Sequence, residues 1–163
     1  MADTAREIHL KSRPQGEPAA NNFELVEVPL AGPGVGEVLV RNVYMSVDPY
    51  MRGRMRDVKS YVPPFAVGEV LQGGAIGKVE ASNYEGLSVG DYVSNGFGWR
   101  DRFVAPGSSL AKVDRQNTSL TQHLGALGGT GFTAYVGLLD LMVPQKGETV
   151  FVSGAAGAVG LIV

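Results

Sequence analysis

A mainly β fold is expected for most of this chain, followed by the first strand and helix start of an α/β module. Three observations carry that expectation. Short runs rich in β-branched and aromatic residues recur from Arg6 to Val113, separated by turn residues at intervals of about 8–12 residues. Glycine (23) and proline (9) are abundant enough to supply those turns. After Ser119 the apolar spacing becomes helical, and Thr149–Ser153 then runs into a glycine-spaced turn. Many short strands of this kind suggest a closed or partly open β-barrel.

Composition narrows the class further. A length of 163 residues allows one domain with a full core plus the start of another. Hydrophobic residues make up 44% and charged residues 18%, which is globular rather than disordered. A net charge of -2 and a pI of about 5.7 favour neither nucleic acid nor an anionic membrane as partner. Cysteine is absent, so disulfides, thiol chemistry and Cys-based zinc sites are excluded. The N-terminus has no apolar signal core, and no apolar run is long enough to cross a bilayer. A cytoplasmic protein is expected.

In order, Arg6–Leu10 is a short strand closed by a turn-rich loop, and Phe23–Pro29 is a second strand. Glu37–Met45 is the strongest strand of the first half. Pro49 prevents its continuation, because it removes a ladder donor. A single helical turn fits instead, with Pro49 at its start and Asp48 as cap. Val67–Leu71 and Ala75–Ala81 read as strands around Gly73-Gly74. Val89–Val93 is a turn entering a strand, and Arg100–Pro106 and Leu110–Val113 are two more. Leu120–Leu127 and Phe132–Met142 are helical by spacing, and a module boundary is expected near Gly125–Gly131.

The last stretch carries the most specific chemistry. Thr149–Ser153 reads as a buried parallel strand, and Gly154-Ala-Ala-Gly-Ala-Val-Gly160 follows it directly. Strand, glycine turn and helix start are the context of a dinucleotide-binding fingerprint. Gly157 would let backbone approach a pyrophosphate, Gly160 would let the helix pack on the strand, and the N–H groups would face the anion. Ala155 stands where the pattern has its first glycine.

The residues Ser46–Arg52, Val89–Val93, Gly131–Leu139 and Lys146–Val150 resemble the zinc-free branch of the medium-chain dehydrogenase/reductases. Asp48–Met55 with Tyr61–Pro64 is most similar to its bacterial curcumin-reductase-like members. The resemblance covers essentially the whole chain. One departure is Gly129-Thr-Gly131, where members commonly carry Met-Pro-Gly. The resemblance implies a GroES-like catalytic domain over residues 1–128, then a bridging helix and the start of an NADP-binding Rossmann domain over 129–163. It further implies an NADPH-dependent reductase of the C=C bond in α,β-unsaturated carbonyl compounds, a homodimer at full length, and an N-terminal fragment inactive alone. A quinone reductase of the same superfamily and a non-catalytic binding protein on the same scaffold are the alternatives.

Tyr50 is the first catalytic candidate. In the resembling reductases its motif lines the substrate cleft, where a phenol can hydrogen-bond a carbonyl oxygen as it becomes enolate-like. Its alternative is a core aromatic with a satisfied hydroxyl. The resemblance places Thr133 against the nicotinamide; otherwise it is a helix threonine bonded back to a carbonyl. Gly157, Ala158, Val159 and Gly160 are the expected pyrophosphate turn. Arg52, Arg54 and Arg56 alternate as a solvated face would, with Arg52 the one candidate for an anion. His9 and His123 are isolated, so no metal site is expected. Tyr92, Phe97, Trp99 and Phe103 read as core and strand surface, and Asp91 as a turn residue.

Overall fold

The computed structural model describes residues 3–115 and 117–163. They form two compact units, Met1–Asp114 and Arg115–Val163. The first unit is the expected mainly β module. Strands β1 (Thr4–Leu10) and β2 (Phe23–Pro29) pair antiparallel, with Leu10 opposite Phe23. Five more strands form an antiparallel sheet: β3 (Glu37–Met45), β4 (Ala75–Ser82), β5 (Tyr92–Asn95), β6 (Arg102–Pro106) and β7 (Ala111–Lys112). Their order is β6-β3-β4-β5-β7. The sheets are joined where β1 meets the segment before β6. There the Ile8 N–H donates to Trp99 O at 2.8 Å and the Asp101 N–H to Arg6 O at 3.0 Å. The barrel is thus partly closed.

Alternation explains the register. Val38 and Val40 of β3 are fully buried while Arg41 is exposed, and a one-residue slip would reverse those faces. They pack with Val79, Val93 and Phe103 into one core cluster. Between β3 and β4 the register shifts at Leu39/Val40 and again at Asn42/Tyr44. Such irregularities bend and twist the pair. Gly77 lies opposite Asn42 at the second of them. A Cβ there would run into Val40 Cγ1 and stand 3.2 Å from the Arg41 carbonyl oxygen.

A second core, of Leu10, Met51, Met55, Phe65 and Leu71, anchors helix α1 (Pro49–Arg54). Pro49 opens the helix, as expected. Asp48 occupies the cap position, but its carboxylate accepts from Ser46 Oγ at 2.9 Å and makes no capping bond. Val67–Leu71 is not a strand. A turn with Gly68 at φ 86 interrupts it, leaving one bridge between Val70 and His9. The phenylalanine pair Phe97–Phe103 stacks with centroids 4.7 Å apart, and Trp99 lies parallel to Phe23 at 6.4 Å. These rings are structural.

The second unit runs over Arg115–Val163. A 3-10 turn at Leu120–Leu124 opens with a Ser119/Gln122 capping box. The Leu127 N–H donates back to Gln122 O at 2.8 Å and the Gly131 N–H to Gly125 O at 3.2 Å, so this turn is tied to α2 (Gly129–Tyr135). A Cβ on Gly131 would collide with the Ala126 carbonyl. The helix continues as wide π-type turns over Val136–Met142, ending at Val143 with φ 47. Thr149–Ser153 does not form the expected strand. It pairs with nothing among the described residues, and Phe151 is 85% exposed. Parallel pairing needs a neighbouring strand brought in by a crossover, and the second unit has no strand among its described residues. No helix among the described residues is long and apolar enough to cross a membrane.

Candidate functional site

Helix α1 presents Tyr50 because of its spacing. Met51 and Met55, four apart on one face, are buried and fix the helix's rotation. Tyr50, one position before Met51, is therefore left at the rim, 38% exposed. It lines a cleft of about 290 Å³ together with Gly53, Arg54, Arg56, Lys59 and Tyr61. Partial burial raises the Tyr50 phenol above its ordinary range, Asp48 adds to the rise, and Arg54 opposes it. A phenol so shifted stays protonated at neutral pH and can act as a hydrogen-bond donor.

The alternating arginines divide by role. The Arg52 guanidinium donates to the carbonyls of Gly16 and Pro14, tying down the loop between β1 and β2. It does not line the Tyr50 cleft. Arg54 donates to Pro63 O at 2.9 Å and Gln72 Oε1 at 3.1 Å, with its guanidinium 4.0 Å from the Phe65 ring centroid. Arg56 and Lys59 lie in the cleft wall, and their side chains bond nothing among the described residues. Lys59 was not singled out from the sequence, and Tyr61 entered only within the Tyr61–Pro64 motif, not as a site residue. They come from the irregular segment after α1, and only its length and its Pro63-Pro64 stop hinted that it folds back.

In the second unit a cleft of about 430 Å³ is lined by Thr133, Ser153, Gly154, Gly157, Val159 and Gly160, with apolar side chains around them. Thr133 and the glycine turn, 24 positions apart at Gly157, are thus brought together. Ala158 is exposed and lies outside the lining. The Thr133 hydroxyl donates to Gly129 O at 2.8 Å, the back-bonded geometry, yet it keeps its acceptor lone pairs. The turn coils tightly. The Gly157 N–H donates to Gly154 O at 2.8 Å, and a Cβ on Gly160 would stand 2.5 Å from that same oxygen. The N–H groups of Ala158, Val159 and Gly160 bond nothing among the described residues. Such a turn fits a pyrophosphate: close backbone and unused donors. Only one helical turn follows, with the Leu161 N–H on Gly157 O at 3.0 Å.

Both histidines are engaged locally. His9 sits between Gly68 O, 2.9 Å from Nδ1, and Glu7 Oε2, 2.8 Å from Nε2. His123 Nε2 is 3.1 Å from Thr118 Oγ1. No cluster of potential metal ligands occurs among the described residues. A further cleft of about 380 Å³, between Arg6, Leu25, Tyr44 and Trp99, contains none of the expected site residues.

A β-rich module carrying a rim phenol, followed by a glycine turn with unused N–H groups, has the layout of a nucleotide-dependent oxidoreductase. Residues 6–113 match the family described as the N-terminal domain of oxidoreductase. The chain belongs to the zinc-independent medium-chain dehydrogenase/reductases. It is 47% identical to an NADPH-dependent curcumin reductase of Escherichia coli, over 94% of this chain and 45% of that protein. It is 39% identical to an NADP-dependent 2-alkenal reductase of Nicotiana tabacum, over 97% of this chain and 48% of that protein. The crystal structure of CurA from Vibrio vulnificus in complex with NADPH superposes with a TM-score of 0.88 at 46% identity, covering 96% of this chain and 47% of that one. The chain spans about half the length of these relatives.

Proposed function

We propose that this chain is the substrate-binding part of an NADPH-dependent reductase of α,β-unsaturated carbonyl compounds, with the proposed activity belonging to a protein of its relatives' length. The observation that carries the reading is Tyr50: a protonated phenol at the rim of a cleft, held there by two buried methionines on the same helix. The names of the relatives, a curcumin reductase and a 2-alkenal reductase, support it.

On this reading residues 1–128 are the catalytic domain, and 129–163 are the bridging helix and the start of the cofactor domain. Ala158, Val159 and Gly160 would offer backbone N–H groups to the pyrophosphate of NADPH, Gly157 would let the backbone come close to it, and Thr133 would offer an acceptor to the carboxamide. NADPH supplies the hydride. The phenol of Tyr50 donates to the substrate's carbonyl oxygen, and this bond strengthens as the β-carbon gains hydride and negative charge moves onto that oxygen. A proton then reaches the α-carbon, so the C=C bond becomes CH–CH and the carbonyl is restored. The carbonyl already delocalises the charge, so the chemistry needs no metal.

The test is NADPH oxidation by the full-length protein against a panel of enones, enals and quinones, with products identified. Reduction of the C=C bond with the carbonyl intact is expected. Turnover of quinones alone would overturn the proposal. A homodimer is expected in the same preparation, checked by sedimentation.

A further inference from the structure

Resting on the reductase reading, we infer that the Tyr50 cleft is built for an unsaturated carbonyl substrate that also carries a carboxylate, held by Arg56 and Lys59. Three cationic side chains line this cleft and no acidic residue does. Arg54 is already committed to Pro63, Gln72 and the Phe65 ring, whereas the side chains of Arg56 and Lys59 have no partner among the described residues. The nearby acids are engaged elsewhere: Asp48 accepts from Ser46, and Asp57 pairs with Arg13 at 3.8 Å. Two uncommitted cations lining one cleft repel, and a bound anion offsets that repulsion.

The geometry suits a short acid. The planar guanidinium of Arg56 can grip a carboxylate with two parallel bonds, while Lys59 adds a mobile point charge. Val58, Val62 and the Tyr61 ring supply an apolar wall for the chain between the two polar ends. A volume of about 290 Å³ accommodates on the order of ten water-sized groups at ~30 Å³ each. That is room for a carbonyl at Tyr50 and a carboxylate a few methylenes away.

The experiment uses the full-length protein and a methyl enone whose chain ends in a carboxylate, compared with its methyl ester. The acid-to-ester ratio of kcat/KM is expected to exceed one, to shrink as salt is raised, and to fall about five- to tenfold in Arg56→Ala/Lys59→Ala. Binding of the saturated keto acid, followed by calorimetry, reports the same preference without turnover. Weaker binding of that acid in the double variant supports the inference even if no enone is reduced, a result that would sink the reductase reading alone. An acid-to-ester ratio and an acid affinity both unchanged by the substitutions would overturn the inference and leave the reductase reading standing.

Discussion

Replacing Tyr50 by Phe removes one hydroxyl and keeps the ring that fills the rim of α1. Because the lost bond is strongest in the transition state, enone reduction in the full-length protein should slow about tenfold, or ~1.4 kcal/mol, with NADPH affinity nearly unchanged. Single-turnover absorbance of bound NADPH measures this. In the proposed mechanism the working form is the protonated phenol, whose affinity for the proton is raised by burial first and Asp48 second. The difference between wild type and Tyr50→Phe should therefore persist through neutral pH and close only as pH rises past the ordinary phenol value of ~10. Arg52 offers the contrast. Its guanidinium holds carbonyls of the β1–β2 loop, so Arg52→Met should cost about 1 kcal/mol of stability, read as a lower urea midpoint, without selectively weakening cofactor binding.

At the scale of elements, two glycines make opposite kinds of test. Gly77 sits where β4 crosses the irregular register of β3, and any Cβ meets Val40 and the Arg41 backbone. Overpacking of this sort costs ~1–3 kcal/mol, so Gly77→Ala should unfold at lower urea, read by circular dichroism. Gly160 instead closes the glycine turn proposed for the cofactor on Gly154. Gly160→Ala must push that turn open, and NADPH binding to the full-length protein should weaken about tenfold, ~1.4 kcal/mol by calorimetry. A strand defect and a turn defect are thereby separable, since one appears in stability and the other in affinity.

Across the first unit, long-range charge contacts tie the ends of the chain segment together. Asp101 accepts from the Arg6 N–H at 2.8 Å and from its guanidinium at 2.9 Å, across 95 positions of sequence. Burial by itself would raise the Asp101 carboxyl, but those bonds to Arg6, with Arg102 nearby, bring it below the usual carboxylate range. Asp91 is lowered as well, by the hydrogen bond from Lys112 first and the Ser88 N–H second. A carboxylate depressed in the folded state stabilises it above the unfolded value of ~3.9 and loses that contribution as pH falls through the folded value. Asp101→Asn should therefore be less stable than wild type at neutral pH. The two should converge in urea titrations carried down through the acid range, where wild type loses the contribution.

Much of this molecule was legible locally. The alternation in Glu37–Met45 places Val38 and Val40 inward, Pro49 stops the strand, and Pro49–Arg54 makes the single helical element expected there. Those signals depend on neighbours a few positions away, so a sequence contains them outright. What the sequence left open is who pairs with whom. Val67–Leu71 has strand composition, but Gly68 turns it, and it meets β1 at an isolated bridge between Val70 and His9 rather than as a strand. Thr149–Ser153 has a buried strand's composition, yet it pairs with no strand among the described residues and leaves Phe151 exposed. The three alternating arginines look alike in sequence, yet one holds a loop, one stacks on Phe65 and one lines the Tyr50 cleft with no side-chain partner among the described residues. The sequence by itself determined the strand-forming segments, the family motifs and Tyr50 as the residue to examine. Tertiary structure alone decided the clefts and the fate of each charge. Those depend on contacts between segments tens of residues apart, whose entropy of closure and burial no local pattern encodes.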